Sequence, residues 1–327
     1  MGMRQRLWNG ALRVKISYLC NMKKIPDLSI IIATYNRAAG LVRTLDSLAG
    51  QTLAPALWEI VAVNNNSTDD TEARFAAWQA AHPALNARMV FEGKQGLSHA
   101  RNCGIGASQG EYIVIIDDDE LVNTRFCEAY HTFFQANTPV AAAGGRIVPL
   151  YEFPPPVWLT KYTERPIAGT LDLGEQCIPF PGQKFPGGGN MAVRRSILKK
   201  YDAFHPALGR TGNTPLSGEE KELFLRLRRA DEKIYYIPDA IIYHVIPLSR
   251  FEPAYFARLT RMSGVSERRR TLQHSRFAYL TRLLGEAVRW AATLALACLY
   301  LLRGIPSKGK WLIRMRWNIT CGLLLGR

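Results

Sequence analysis

Through the first 120 residues, short apolar runs alternate with stretches of helical spacing. Residues 28–33 (Leu-Ser-Ile-Ile-Ile-Ala) form a β-branched run that reads as a buried strand. Across residues 39–49, Leu41, Leu45 and Leu48 share one helical stripe, which Gly50 stops. Residues 59–63 are a second buried strand, residues 64–71 a polar turn, and a helix follows to about Ala81. A third strand is expected at 88–91, and a helix over 97–108 that ends near Gly110. The fourth strand, 111–116, runs straight into Asp117, Asp118 and Asp119. Strands alternating with helices predict βα units and a mostly parallel sheet. Ligands of such sheets sit beyond the carboxyl ends of the strands. The polar clusters 34–36, 64–70 and 117–119 all fall there.

The pattern changes after residue 148. Residues 149–186 hold eight of the chain's 18 prolines, which argues against regular helix or central strand. A long irregular insert in a compact domain is usually functional. Helical spacing returns at 218–230, followed by short strands near 233–237 and 240–245.

With 47% hydrophobic and 21% charged residues, the chain is not of the disordered class. Its net charge of +15 suggests a polyanionic partner until it is divided along the sequence. Residues 1–24 carry six basic side chains and no acids; residues 250–327 carry fifteen against three. The middle, 25–249, is slightly acidic. The leader 1–24 lacks a continuous apolar segment, so it does not read as a secretory signal. Met22 is an alternative start, and the leader is expected to stand outside the fold. Six scattered cysteines without a C-x-x-C pair fit a reducing compartment.

The tail's charge has a different company. Residues 290–302 are thirteen largely apolar residues, about 20 Å as a helix and too short to span the hydrocarbon core. Before them, Arg282, Glu286 and Arg289 share one helical face, with Leu284, Val288 and Ala291 towards the other. Arg303, Lys308, Lys310, Arg314 and Arg316 follow, interleaved with Trp311 and Trp317. Residues 282–327 therefore suit an anionic membrane surface, bound peripherally or by shallow insertion, better than nucleic acid. The competing reading is a helical subdomain packed on the rest of the chain.

Four features could carry chemistry. Three adjacent carboxylates at a buried strand's end repel one another, and Mg²⁺ or Mn²⁺ would relieve this and hold a diphosphate. His244 gains interest only if it folds back on Asp119. Ser217 and Glu220 form a helix capping box, while Glu219 or Glu220 could equally be a general base. Residues 187–192 match G-x-G-x-x-A by letter, but Pro186 precedes them instead of a strand. They read better as backbone lying close to a ligand.

Taken together, several segments resemble the family 2 inverting glycosyltransferases of the GT-A fold. They are 29–37 (SIIIATYNR), 59–71 (EIVAVNNNSTDDT), 96–117, 187–198 (GGGNMAVRRSIL) and 218–244, in the family's order. The D-x-D motif is met by Asp117 and Asp119. The resemblance implies an α/β, Rossmann-like mixed sheet over 25–249, with 149–186 as an acceptor-side insert and 250–327 as a basic helical tail. It implies Asp119 and His244 as metal ligands and Asp117 on the ribose and the metal. Thr34, Tyr35 and Arg101 would hold the nucleotide base. Asn36, Arg37, Asn64, Asn66, Asp118, Gly188, Gly189 and Asn190 would complete the nucleotide-sugar site. Glu220 would be the general base, beside Glu219. Two departures stand out: Asn64 where the family has Asp, and Glu219-Glu220 in place of Glu-Asp. The expected donor is UDP- or GDP-linked. The expected acceptor is a hydroxyl of a cell-surface polysaccharide or lipid-linked glycan, at the cytoplasmic face of a membrane. Transfer to a polyprenyl phosphate, and sugar-nucleotide binding without catalysis, are the alternatives.

Overall fold

The computed structural model describes residues 25–210 and 218–326. The basic leader and Ser217 of the capping box lie outside the described residues. The first half follows the expected alternation. The strands are β1 (Leu28–Thr34), β2 (Trp58–Asn64), β3 (Ala87–Phe91) and β4 (Tyr112–Asp117). Between them run helices α1 (Ala38–Ala49), α2 (Thr71–Ala81) and α3 (Leu97–Ala107). The four strands are parallel, in the order β3-β2-β1-β4. They read as continuous apolar runs because helices cover both faces. Alternate residues point to opposite sides: Ile30 and Ile32 into a cluster with Leu41, Leu45 and Phe126, Ile31 into one with Val63, Leu223 and Phe224. In the parallel register Thr34 faces Asn64, and Ala33 faces Asp117. The three polar clusters thereby meet along one edge.

The remaining elements complete a mixed sheet. They are β5 (Glu120–Val122), α4 (Phe126–Ala136), β6 (Ala142–Tyr151), α5 (Lys161–Ala168), β7 (Ile178–Pro179), β8 (Met191–Arg194), α6 (Arg195–Tyr201), α7 (Glu219–Arg229) and β9 (Ile234–Ile246). The sheet continues β4-β8-β6-β9-β5, with β7 beside β9. Two expectations need correction. The strands expected at 233–237 and 240–245 are one strand, β9, whose pairing with β6 shifts register between Gly145 and Arg146. The Pro-rich segment also contains regular structure. β6 passes through Pro149, beyond the residues 142–144 that pair with β8, so the missing N–H interrupts no β8 ladder bond there. α5 tolerates Pro166 because it is only eight residues long, capped by Thr160 and ended by left-handed Gly169.

After β9, a single 3₁₀ turn (Leu248–Phe251) leads into three long helices: α8 (Pro253–His274), α9 (Arg276–Leu302) and α10 (Pro306–Leu325). α8 and α10 cross closely at two glycines. A Cβ on Gly322 would lie 2.0 Å from the Arg261 carbonyl oxygen, and one on Gly264 would lie 2.1 Å from that of Ile319. The helices also pack on the insert. Trp158 stacks on Trp311 with ring centres 4.1 Å apart, over Phe256 and Phe251. Trp311, expected among the residues facing lipid, is thus a protein contact, while Trp317 is 60% exposed.

α9 is inverted relative to a helix on a water-soluble protein. Its buried residues are Glu286 and Thr293. Leu280, Leu284, Val288, Leu301 and Leu302 are exposed. Glu286 accepts from Arg282 (2.7 Å), Arg316 (3.1 Å) and Thr320 (3.2 Å), which explains why Arg282 and Glu286 face inward while Arg289 stays exposed. The apolar stretch 290–302 is the second half of this 27-residue helix, roughly 40 Å long, and not an isolated short segment. It is long and apolar enough to cross a membrane by length and composition.

The glycine crossing generates a stability prediction. Gly322→Ala forces a methyl group against the α8 backbone and should cost about 1–3 kcal/mol. Thermal unfolding checks it, and an unchanged melting temperature would refute so close a crossing.

Candidate active site

The carboxyl end of β4 is the centre of the site. β5 turns back immediately and pairs antiparallel with β9, placing Glu120 opposite His244. The Val245 N–H donates to the Asp119 carbonyl at 2.9 Å. This register answers the question left by the sequence: His244 Nε2 lies 3.5 Å from Asp119 Oδ2. The His244 Nδ1 lies 2.8 Å from the Ala168 carbonyl oxygen. A carbonyl only accepts, so Nδ1 carries a proton and Nε2 is the nitrogen turned to Asp119. Asp119 Oδ2 also accepts from Arg250 Nη2 at 2.6 Å and from Arg37 Nη1 at 3.0 Å. Burial alone would raise this carboxyl, but His244, Arg250 and Arg37 together hold it far below the usual range.

The neighbouring carboxylates have separate partners. Asp118 is buried; it accepts from Thr34 Oγ1 at 2.7 Å and from Arg37 Nη1 at 2.9 Å. Desolvation raises it to about 6 despite Arg37 and the Thr34 bond, aided by the charge of Asp119. Asp117 turns the other way, to Arg101 Nη2 at 2.9 Å. Arg101 is fully buried, and it also donates to the Gly188 carbonyl at 2.9 Å and to Glu219 Oε1 at 2.8 Å. It lies over the Phe204 ring as well. Arg101 therefore joins α3, β4, the glycine segment and α7.

Of the cavities that border this centre, two flank Asp117. One, of about 380 Å³, is lined by Tyr35, Arg37, Asn65, Gly96, Tyr255 and Arg258. The other, of about 520 Å³, is bordered by Gly188, Lys184, Arg165, Glu220, His244 and Leu259. Asp117 and Arg250 border both.

The expected nucleotide-sugar residues divide accordingly. Thr34 and Tyr35 line the smaller cavity, but the Thr34 hydroxyl is committed to Asp118. Arg101, expected at the base, lies instead beneath Gly188 on the larger cavity. Asn36 accepts from the Thr68 N–H at 2.7 Å, and the Asn64 side chain accepts from the Ser67 N–H at 2.8 Å. Both brace turns. Asn66 adopts positive φ in the same turn. Asn65, not singled out beforehand, reaches the cavity wall and ties residues 92–96 together through its amide. Asn190 is the clearest departure from expectation. It is fully buried, and its amide is used by Tyr130, the Arg146 carbonyl and the Ala240 carbonyl. It locks β6 to β8 and β9 and does not face the cavity. Gly188 does border the cavity, beside Arg101 and Glu220. Gly189 is small for an internal reason, since a Cβ there would fall 2.0 Å from Glu120 Oε1.

The two glutamates of α7 also separate. Glu219 is buried against Arg101, and its Oε2 has no hydrogen-bond partner among the described residues. Burial, then the charge of Glu220, lifts the Glu219 carboxyl to about 8 against the pull of Arg101. Glu220 borders the larger cavity next to Gly188, and Glu219 lines the same cavity from its pairing with Arg101.

Residues 29–202 match the sequence model of the family described as "Glycosyl transferase family 2". The chain belongs to that family. It is a glycosyltransferase with a GT-A fold. Among curated relatives, the succinoglycan biosynthesis protein ExoM of Rhizobium meliloti (strain 1021) is 25% identical over 83% of this chain and 84% of its own. ExoO of the same strain, also named for succinoglycan biosynthesis, is 35% identical over 30% of this chain, a stretch that spans only 27% of ExoO. Among solved structures, the mannosyltransferase PcManGT from Pyrobaculum calidifontis, in complex with GDP-Man and Mn²⁺, superposes with a TM-score of 0.59. It is 20% identical, over 90% of this chain and 87% of its own. S. aureus TarS 1–349 with UDP-GlcNAc gives 0.53 at 18% identity, over 73% and 66%.

As a member of this family the chain still carries the buried acid of α7, and that acid has a stability consequence. Raised from 4.5 to about 8, Glu219 holds a proton in the folded state that the unfolded chain releases earlier. Its contribution is complete below about pH 4.5 and is lost as pH rises towards 8. Glu219→Gln should flatten the fall in melting temperature over that interval. Parallel melting curves for the two proteins would disprove the shift.

Proposed function

We propose that this family 2 enzyme moves a sugar from a UDP- or GDP-linked donor to a hydroxyl of a polysaccharide or lipid-linked glycan, with inversion. One observation carries the reading. Glu220 and Glu219 line one cavity with Asp117 and His244, and of the two only Glu219 is tied to Arg101. That leaves Glu220 as the carboxylate able to take a proton from an acceptor hydroxyl. The deprotonated oxygen then attacks the anomeric carbon opposite the departing nucleotide, so one displacement inverts the centre. Arg101 and the Gly188 backbone set the distance between the donor corner and Glu220, and positioning of this kind supplies much of the rate. The insert and α8 wall off the cavity, which suits an acceptor side.

Asp119 and His244 fit a divalent cation by donor type: a carboxylate oxygen and an imidazole nitrogen whose proton is fixed on its far side. Among the described residues no group of three or more His, Cys, Asp and Glu side chains is placed to hold a metal alone. Two protein ligands are enough where a substrate diphosphate provides others. Bound there, Mg²⁺ or Mn²⁺ supplies neutralisation of the charge on the leaving diphosphate.

The same reading places the enzyme on the cytoplasmic face of a membrane. α9 turns Arg282 and Glu286 to protein and leaves Leu280, Leu284, Val288, Leu301 and Leu302 exposed, with Arg289, Arg303, Lys310 and Arg314 also exposed in the tail. This arrangement suits a helix lying in the lipid interface.

Two measurements test these statements. Glu220→Gln should lower kcat by roughly 10²–10⁴-fold while the protein still binds donor, and transfer should stop in EDTA. Full-rate transfer without metal would refute the mechanism. The protein should also float with anionic vesicles, and Leu284→Glu with Val288→Glu should release it; vesicle binding unaffected by both charges would dismiss α9 as the contact.

A further inference from the structure

Arg250 was not among the residues singled out from the sequence, and it sits in the 3₁₀ turn that joins the sheet to the helical tail. It is buried at 7% exposure. Its Nη2 donates to Asp119 Oδ2 at 2.6 Å and its Nη1 to the Ile167 carbonyl at 3.1 Å. The next carbonyl, Ala168, holds the His244 ring. The last turn of α5 therefore aims both side chains at the same carboxylate oxygen, and a helix C-terminus is a favourable place to hold cationic groups. Arg37 reaches that oxygen too, but Asp118 retains it from the other side.

We propose that Arg250 is an exchangeable counter-ion of Asp119. Resting on the reading of Asp119 and His244 as metal ligands, the inference gives Arg250 two successive partners. Without donor, its guanidinium neutralises Asp119 on the side where His244 Nε2 also points. A divalent cation joining Asp119 and His244 takes that place and repels the guanidinium. The released Arg250 borders both cavities, where the anion that accompanies the metal, a nucleoside diphosphate, can accept its paired N–H donors. Metal and diphosphate then bind with positive cooperativity, because each removes the obstacle met by the other. The turn's place at the root of the tail, with Phe251 buried between insert and helices, makes the exchange dependent on a seated tail.

The test measures free Mn²⁺ by electron paramagnetic resonance in titrations of the full chain, with and without UDP or GDP, against protein-free nucleotide controls. In the unaltered chain, Mn²⁺ alone binds weakly and one nucleotide tightens it. Arg250→Gln should bind Mn²⁺ alone roughly tenfold more tightly, with the gain from nucleotide reduced by a similar factor. Arg250→Lys, which keeps the charge but cannot span Asp119 and Ile167 together, should fall between the two, and carries the comparison if the glutamine variant does not fold. Mn²⁺ affinity that is unchanged or weaker in a folded variant overturns the exchange. Failure of either nucleotide to draw Mn²⁺ into the unaltered chain overturns instead the metal reading on which it rests.

Discussion

Negative charge buried at the end of β4 is the constraint on which the rest of the site depends. Asp117, Asp118, Asp119 and Glu120 are consecutive, and desolvating carboxylates at such spacing requires compensation. The compensation arrives from distant parts of the chain. Arg37 comes from the start of α1, Arg101 from α3, His244 from β9 and Arg250 from the turn beyond it. Each long-range link closes a part of the fold onto the same few atoms. Glu120 is in ion-pair contact with none of these cations; burial, Asp117 and Asp119 hold it well above its ordinary range against the pull of Arg101, and it accepts from the Asp117 N–H.

The parallel half of the sheet was legible because its signals are local. β-branched runs such as residues 30–32 and stripes such as Leu41, Leu45 and Leu48 state their burial within a few residues. The second half was less legible because its strands depend on partners. β8 is four residues long, and β6 runs into a proline whose tolerance follows from an unpaired side. Among site residues, Asp119 and His244 could be paired in advance only through motif order; the β5–β9 register is what makes the pairing physical. Asn190 entered the expected site through the resemblance of residues 187–198, whereas its placement is set by Tyr130 and two carbonyls that enclose it. Arg250 gave no signal, since one arginine in a basic tail has nothing to distinguish it.

The tail shows how charge and apolarity legible along one helix leave open which face meets protein. The opposition of Arg282 and Glu286 to Leu284 and Val288 is present as expected. Which face meets protein was decided by the neighbours on α10, where Arg316 and Thr320 offer Glu286 a desolvated but satisfied site. Once charge is matched inside, the aliphatic side chains are what remains for the exterior.

Ionic contacts continue from that interior towards α7. Lys221, one residue after Glu220, pairs with Glu267 of α8. Glu267 is also bonded by Arg270 and lies 3.5 Å from Arg282, which in turn pairs with Glu286. A protein engineer seeking a minimal soluble enzyme would be drawn to cut after the last strand. Such a cut would strip Lys221 of its partner Glu267, remove Arg250 from Asp119 and unroof the cavity at Leu259. The outer helices supply contacts to α7, Asp119 and the cavity wall, so solubility is better sought by recharging the outward face of α9 than by shortening the chain.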